Sequence, residues 1–221
     1  MFSSAIERFM GFFAFLAAGL LFKMVIGKSG GKNKKEFQQF LDEEHEANFA
    51  RAHKIPDEMF YHPDTGSLPD TDYGDGEEFK KLNQAKQKVI SGSSSKMLRL
   101  NPPMKNIEIK QNFGAANLER ITNYETSYDQ YIRSLSNFAE ELMKLGFFED
   151  AKKILMICME MDSLIFLPYS LLCDIYAKEK NAKAILELKD KVDSTEIIFN
   201  NKLLTGKIID CINTKLKEIE N

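Results

Sequence analysis

The stretch Ile132–Ser194, IRSLSNFAEELMKLGFFEDAKKILMICMEMDSLIFLPYSLLCDIYAKEKNAKAILELKDKVDS, decides how this chain is read. Within it Tyr169, Leu172, Cys173 and Tyr176 repeat the spacing of Leu135, Phe138, Ala139 and Leu142. Intervals of three and four residues put each set on one face of a helix. The two sets stand one supersecondary unit apart, roughly 34 residues. A helix pair of that size cannot bury its apolar face alone, so it needs a stacked neighbour. Gly146, between two apolar patterns, supplies a helix C-cap, and Glu149 with Asp150 suits the first turn of the helix that follows.

Working outward, Asn117–Leu145 carries Leu118, Ile121, Tyr124, Tyr128, Tyr131 and Ile132 at the same intervals, which predicts one long helix or two broken near Thr126. Downstream, Thr195–Ile219 has Ile197, Ile198, Leu204, Ile208, Cys211, Ile212 and Leu216 on a broad stripe, with Lys215, Lys217, Glu218 and Glu220 around it. A helix that is polar on its outer side is what closes the open end of a stacked array. Upstream, Phe79–Ile90 reads as a short helix and Asn101-Pro102-Pro103 as a rigid turn. Met97–Ile109 is too apolar for a free tether and is expected to lie as a strap across a helical surface.

These residues resemble the tetratricopeptide family. The first unit offers Leu135, Phe138, Ala139, Leu142, Gly146, Ala151 and Leu155, with Ser163 where that family closes the unit with Pro. The second offers Tyr169, Leu172, Cys173 and Tyr176, a turn at Lys180-Asn181, then Ala184 and Leu188 one residue earlier than the family's spacing. The resemblance implies antiparallel helix pairs that bind a protein or peptide. It also implies that the first helix of each pair lines a concave groove, which here would present Arg133, Asn137, Glu140, Lys144, Ser170, Asp174 and Lys178. Their signs are mixed, so no ligand class follows from them.

The N-terminus carries a different signal. Phe9–Ile26 is almost wholly apolar, broken only by Lys23 near its end. At about 1.5 Å per residue it approaches the roughly 30 Å hydrocarbon core of a bilayer. Before it Arg8 is offset by Glu7, whereas Lys28, Lys32, Lys34 and Lys35 follow it, and this bias predicts a single-pass anchor with the bulk of the chain cytoplasmic. A signal peptide would want a basic segment ahead and a small-residue cleavage site behind. From Lys32 to Lys54, Phe37, Phe40, Leu41 and Phe49 among charges read as an amphipathic helix ended by Pro56. Pro56–Glu78 has Pro63, Gly66, Pro69, Gly74 and Gly76 between acidic residues and reads as a linker.

The expected organisation is therefore all-α: an anchor over residues 1–27, a juxtamembrane amphipathic helix over 28–55, a charged linker and strap over 56–114, and a tetratricopeptide-like array with its capping helix over 115–221. A formal charge of -3 argues against a phosphate-backbone binder and hence against nucleic acid. Cys158, Cys173 and Cys211 lie in apolar helical patterns without metal-ligand spacing and read as small buried hydrophobes in a reducing compartment.

Catalytic chemistry finds little support. Asp64-Thr65-Gly66-Ser67 spells the string of aspartic proteases, but that reaction needs two carboxylates sharing a proton on braced β-structure, and there is one copy in a turn-rich segment. Asp70, Asp72 and Asp75 miss the EF-hand ligand order. His45, His53 and His62 lack the i, i+4 spacing of a zinc helix. No enzyme, cofactor or metal is expected. The expectation is a membrane-anchored adaptor or scaffold. Its alternatives are a juxtamembrane metal- or proton-sensing protein or enzyme using the three histidines, and a permanent structural subunit of a membrane complex.

Overall fold

The computed structural model describes residues 34–220. The anchor predicted at Phe9–Ile26 lies outside them. Among the described residues no helix is long and apolar enough to cross a membrane. Helix accounts for 74% of these residues and strand for 2%, so the fold is all-α. The chain forms two compact units and alternates between them: one joins residues up to His53 with Lys105–Asn117, the other joins Lys54–Met104 with the chain from Leu118 on.

The first unit contains helix α1, residues 34–48, and helix α3, Asn106–Phe113. Helix α1 stops six residues short of the expected Lys54. Its last turn tightens through bonds from Phe49 N–H to the Glu46 carbonyl and from Ala50 N–H to the Ala47 carbonyl, and the chain then leaves regular secondary structure. There a tertiary bond outcompetes helix propagation, because His53 N–H donates to the Phe113 carbonyl (3.0 Å). Asn117 Nδ2 donates to the carbonyls of His53 and Phe113, 2.8 Å each. Lys110 pairs with Glu44 and donates to Asn48 Oδ1. Ala47 is buried, while Phe37, Phe40 and Leu41 at the other end of α1 are exposed.

The second unit is the helical array. Its members are α2 (Lys80–Ser93), α4 (Leu118–Lys144), α5 (Phe148–Glu160), α6 (Phe166–Lys178), α7 (Ala182–Ser194), the single turn α8 (Glu196–Phe199) and α9 (Lys202–Glu220). Helix α2 packs on α4, α4 on α5, α5 on α6, α6 on α7 and α7 on α9, while α4, α6 and α9 also touch in succession. Nearest-neighbour packing with alternate helices in contact is compatible with a helical-repeat fold. The core is the predicted stripe: Leu135, Phe138, Ala139 and Leu142 of α4 and Tyr169, Leu172 and Cys173 of α6 are buried. Helix α4 is unbroken at Thr126, whose hydroxyl donates back to the Thr122 carbonyl.

Three helix ends share one geometry. Helices α4, α5 and α6 each finish on a left-handed residue, Gly146 (φ 87), Asp162 (φ 48) and Lys180 (φ 53). After each, the next N–H reaches back to a carbonyl of the last turn: Phe147 to Leu142, Ser163 to Cys158 and Asn181 to Tyr176. This is the Schellman closure. It recurs with a 34-residue interval between Gly146 and Lys180, matching the repeat in the apolar pattern. Ser163, in place of a closing Pro, is fully buried. Its Oγ accepts from Ile165 N–H, and its carbonyl accepts from the Tyr169 hydroxyl.

The stretch expected as a linker is irregular but packed. Phe60–Tyr61 (β1) pairs antiparallel with Met97–Leu98 (β2), Phe60 opposite Leu98 and Tyr61 opposite Met97. Met97, Leu98 and Leu100, at the start of the expected strap, are buried and β2 lies on α4, whereas the end of that stretch, from Lys105 on, belongs to the first unit and enters α3. Arg99 donates to the Met161 and Asp162 carbonyls at the α5–α6 turn, where Tyr128 also donates to Met161. Apolar side chains alternate with Pro and Gly too irregularly here for a period to show, yet tertiary burial orders the segment. All seven tyrosines of the chain (61, 73, 124, 128, 131, 169 and 176) fall in this second unit.

One side chain fastens that segment to α5. Asp150, in the first turn of α5, accepts from Thr71 Oγ1 (2.7 Å) and the Tyr73 hydroxyl (2.9 Å) and pairs with Lys153 (3.3 Å). Burial pushes its carboxyl up, but the bonds from Thr71, Tyr73 and Lys153 outweigh burial and leave it below the ordinary carboxylate value. A depressed carboxyl stabilises the fold fully above its unfolded pKa, about 3.9, and that contribution fades as pH falls through the lower folded value. Asp150→Asn is expected to cost about 1–2 kcal/mol at neutral pH. Urea midpoints of wild type and variant should converge below about pH 4; curves that stay parallel from neutral pH to pH 3 would refute the latch.

Candidate partner groove

The residues proposed to line a groove come from α4 and α6, the first helices of the two pairs. On α4, Arg133 and Asn137 are exposed. Asn137, Glu140, Glu141 and Ser134 share a depression of about 240 Å³ with Lys81, Gln84 and Lys88 of α2. Lys144 pairs with Glu140 (3.2 Å) and Glu141 (2.8 Å), and the bond to Glu141 raises its pKa. An exposed lysine held by two carboxylates is a weakened recruiter of anions.

On α6 the candidates separate. Lys178 turns its ammonium over the Phe148 ring of α5, 4.2 Å from the centroid, and so serves the first helix pair. Ser170 and Asp174 face α9. Asp174 pairs with Lys215 (3.1 Å), which also pairs with Glu218 (2.9 Å), and these two bonds hold the Lys215 ammonium charged well above its ordinary range. Cys173 and, less strongly, Ser170 pull the Cys211 thiol below its ordinary value across this seam. Positions 170 and 173 thus meet 211, and 174 meets 215, so α6 and α9 run parallel. The seven residues form no single pocket. Asn137 and Glu140 sit in the depression beside α2, Ser170 and Asp174 line the α6–α9 seam, and Lys178 serves α5.

Comparison with protein-family models, curated proteins and solved structures finds no match. Geometry therefore has to carry the functional reading.

Of the histidines, His45 lies 5.0 Å from the Phe49 ring, His53 is tied through its backbone to Phe113 and Asn117, and exposed His62 borders a depression with Phe60 and Lys96. His45 and His53 belong to the first unit and His62 to the second. Among the described residues no group of three or more His, Cys, Asp or Glu could hold a metal ion. Asp64 accepts from Gly66 N–H and the Ser67 hydroxyl. The hydroxyl bond is the main reason its carboxyl lies below the ordinary value, as befits a turn-capping residue rather than a proton-sharing dyad.

The α6–α9 seam is not marked in the sequence: Cys173 is buried as its apolar pattern predicts, and only the i, i+4 relation of Cys211 to Lys215, which puts a thiol and an ammonium on one face, hints at it. Nor is Asp150 marked as a fastening point, since Thr71 and Tyr73 lie far away along the chain.

Proposed function

We propose that this chain is a membrane-anchored adaptor of tetratricopeptide-like type, in which the α4–α9 array presents a surface to a protein or peptide partner on the cytoplasmic side. The observation that carries the reading is the pair of first helices, α4 and α6, closed by the same left-handed turn 34 residues apart. Helix α9 follows as a third, parallel member. Stacked pairs of this kind expose a continuous face of side chains suited to binding rather than an enclosed site suited to chemistry. Phe9–Ile26 and the lysines after it support the anchor and its orientation. The partner surface is taken to begin at Arg133 and Asn137, both exposed on α4, with Asn137 beside α2.

The test uses the full chain in its native membrane with a photo-crosslinking amino acid at position 137 on α4 or, for comparison, at Asp190 on α7. A discrete adduct from 137 that Arg133→Glu abolishes, with none from 190, is the expected result. Equal adducts from both positions would refute the groove. Deleting residues 1–27 is expected to release the protein from the membrane fraction, and retention after a high-salt wash would refute the anchor.

A further inference from the structure

The seam between α6 and α9 brings two of the three cysteines together. Cys173, on the inner face of α6, is fully buried, and Cys211, on α9, is partly exposed. Helix α6 packs on α9 there, Cys173 lies in the core with Cys211 packed against it, and Ser170 lies one turn before Cys173 on α6. One turn beyond, the Asp174–Lys215 pair at 3.1 Å fixes the register of the same two helices independently of the sulfurs. The third thiol, Cys158, is fully buried in α5 and is not part of the α6–α9 seam.

We propose that Cys173 and Cys211 are a disulfide-forming pair, oxidised by a low-molecular-weight disulfide and bridging α6 to α9. Cys211 is the attacking group. It is the more exposed of the two, and Cys173 holds its thiol below the ordinary value, with Ser170 and the Lys215 charge assisting against burial. Cys173 is held the other way, by Cys211 and by burial. In the first step the Cys211 thiolate attacks one sulfur of the small disulfide. A mixed disulfide forms, and one small thiolate departs. In the second step Cys173 Sγ attacks Cys211 Sγ and expels the other small thiolate, which takes up the Cys173 proton. Two protein thiols are oxidised by two electrons and one small disulfide is reduced to two thiols, so atoms and electrons balance.

The bond ties the closing helix of the array to the helix that carries Ser170 and Asp174. Oxidation therefore fastens the end of the array, and reduction leaves α9 held by packing and the Asp174–Lys215 pair alone. This chemistry does not depend on the identity of a partner or on the anchor, so its test stands apart from theirs.

The experiment treats the folded full chain, in detergent micelles at neutral pH, with oxidised glutathione and maps non-reduced peptides. Loss of two of the three thiols, a Cys173–Cys211 peptide, no retained glutathione and full reversal by a dithiol are expected. Cys173→Ala should trap glutathione on Cys211, and Cys211→Ser should slow thiol loss by about tenfold or more. Three free thiols after treatment, a bridge involving Cys158, or glutathione held as stably on wild type as on Cys173→Ala would each overturn the proposal. The wild-type map needs no substitution, so it decides the matter even where a change at buried position 173 disturbs folding.

Discussion

Gly114→Ala is expected to unfold the first unit locally, at a cost of about 4 kcal/mol, in hydrogen exchange at residues 34–53 and 105–117. Gly114 has φ 87, and a Cβ there would stand 2.5 Å from Ala52 Cα, 2.7 Å from Ala52 N and 2.7 Å from the Arg51 carbonyl oxygen. All three are backbone atoms, so no rotamer change relieves the clash. With ψ 147 as well, this is a backbone conformation almost reserved for glycine, which costs an L-residue roughly 1–3 kcal/mol. Moving the 51–53 backbone away also breaks the His53–Phe113 bond and the contact of Asn117 with the His53 carbonyl, together about another 2 kcal/mol. Amide protection equal to wild type across both segments would refute the close approach.

Phe138→Ala is expected to destabilise the second unit by about 3–5 kcal/mol, read as a lower urea midpoint. Phe138 is 1% exposed on α4, and the Tyr73 ring stands edge-on to it at 6.3 Å. Removing the ring leaves a cavity between α4 and the 60–79 segment that the surrounding helices cannot close. The neighbouring Asn137→Ala, at an exposed position, should stay within about 0.5 kcal/mol of wild type. Similar losses at 137 and 138 would mean that α4 does not present the face described.

The contrast between those two neighbours was legible in the sequence, because burial on a helix follows a period that Leu135, Phe138, Ala139 and Leu142 display. Gly146 was legible as well, since glycine advertises a left-handed turn. The turn at Lys180-Asn181 was legible too, whereas Asp162 adopts the same left-handed conformation without a glycine to mark it. Thr195–Ile219 read as one segment, yet it holds two helices: the α8 turn ends at Phe199, and Asn201 Oδ1 then accepts from Leu204 N–H at the start of α9. The candidate groove was legible only as helix faces. Whether Ser170 and Asp174 meet solvent or α9, and whether Lys178 points to a ligand or to Phe148, depends on helix register across a distance no local pattern encodes. For the same reason the meeting of Cys173 with Cys211 could not be read from their positions 38 residues apart.

The confinement of tyrosine to one unit gives the molecule two separable optical signals. The chain has no tryptophan, so phenolic absorption and emission dominate its near-ultraviolet spectrum, and every phenol sits in the second unit, where Tyr73, Tyr128, Tyr131 and Tyr169 are buried. The aromatic residues described in the first unit are phenylalanines at 37, 40, 49 and 113, with histidines at 45 and 53. Melting of α1 and α3 alone should therefore lower the far-ultraviolet dichroism while leaving tyrosine emission unchanged. Collapse of the array should move both together, so the protein carries its own built-in report of which half has come undone.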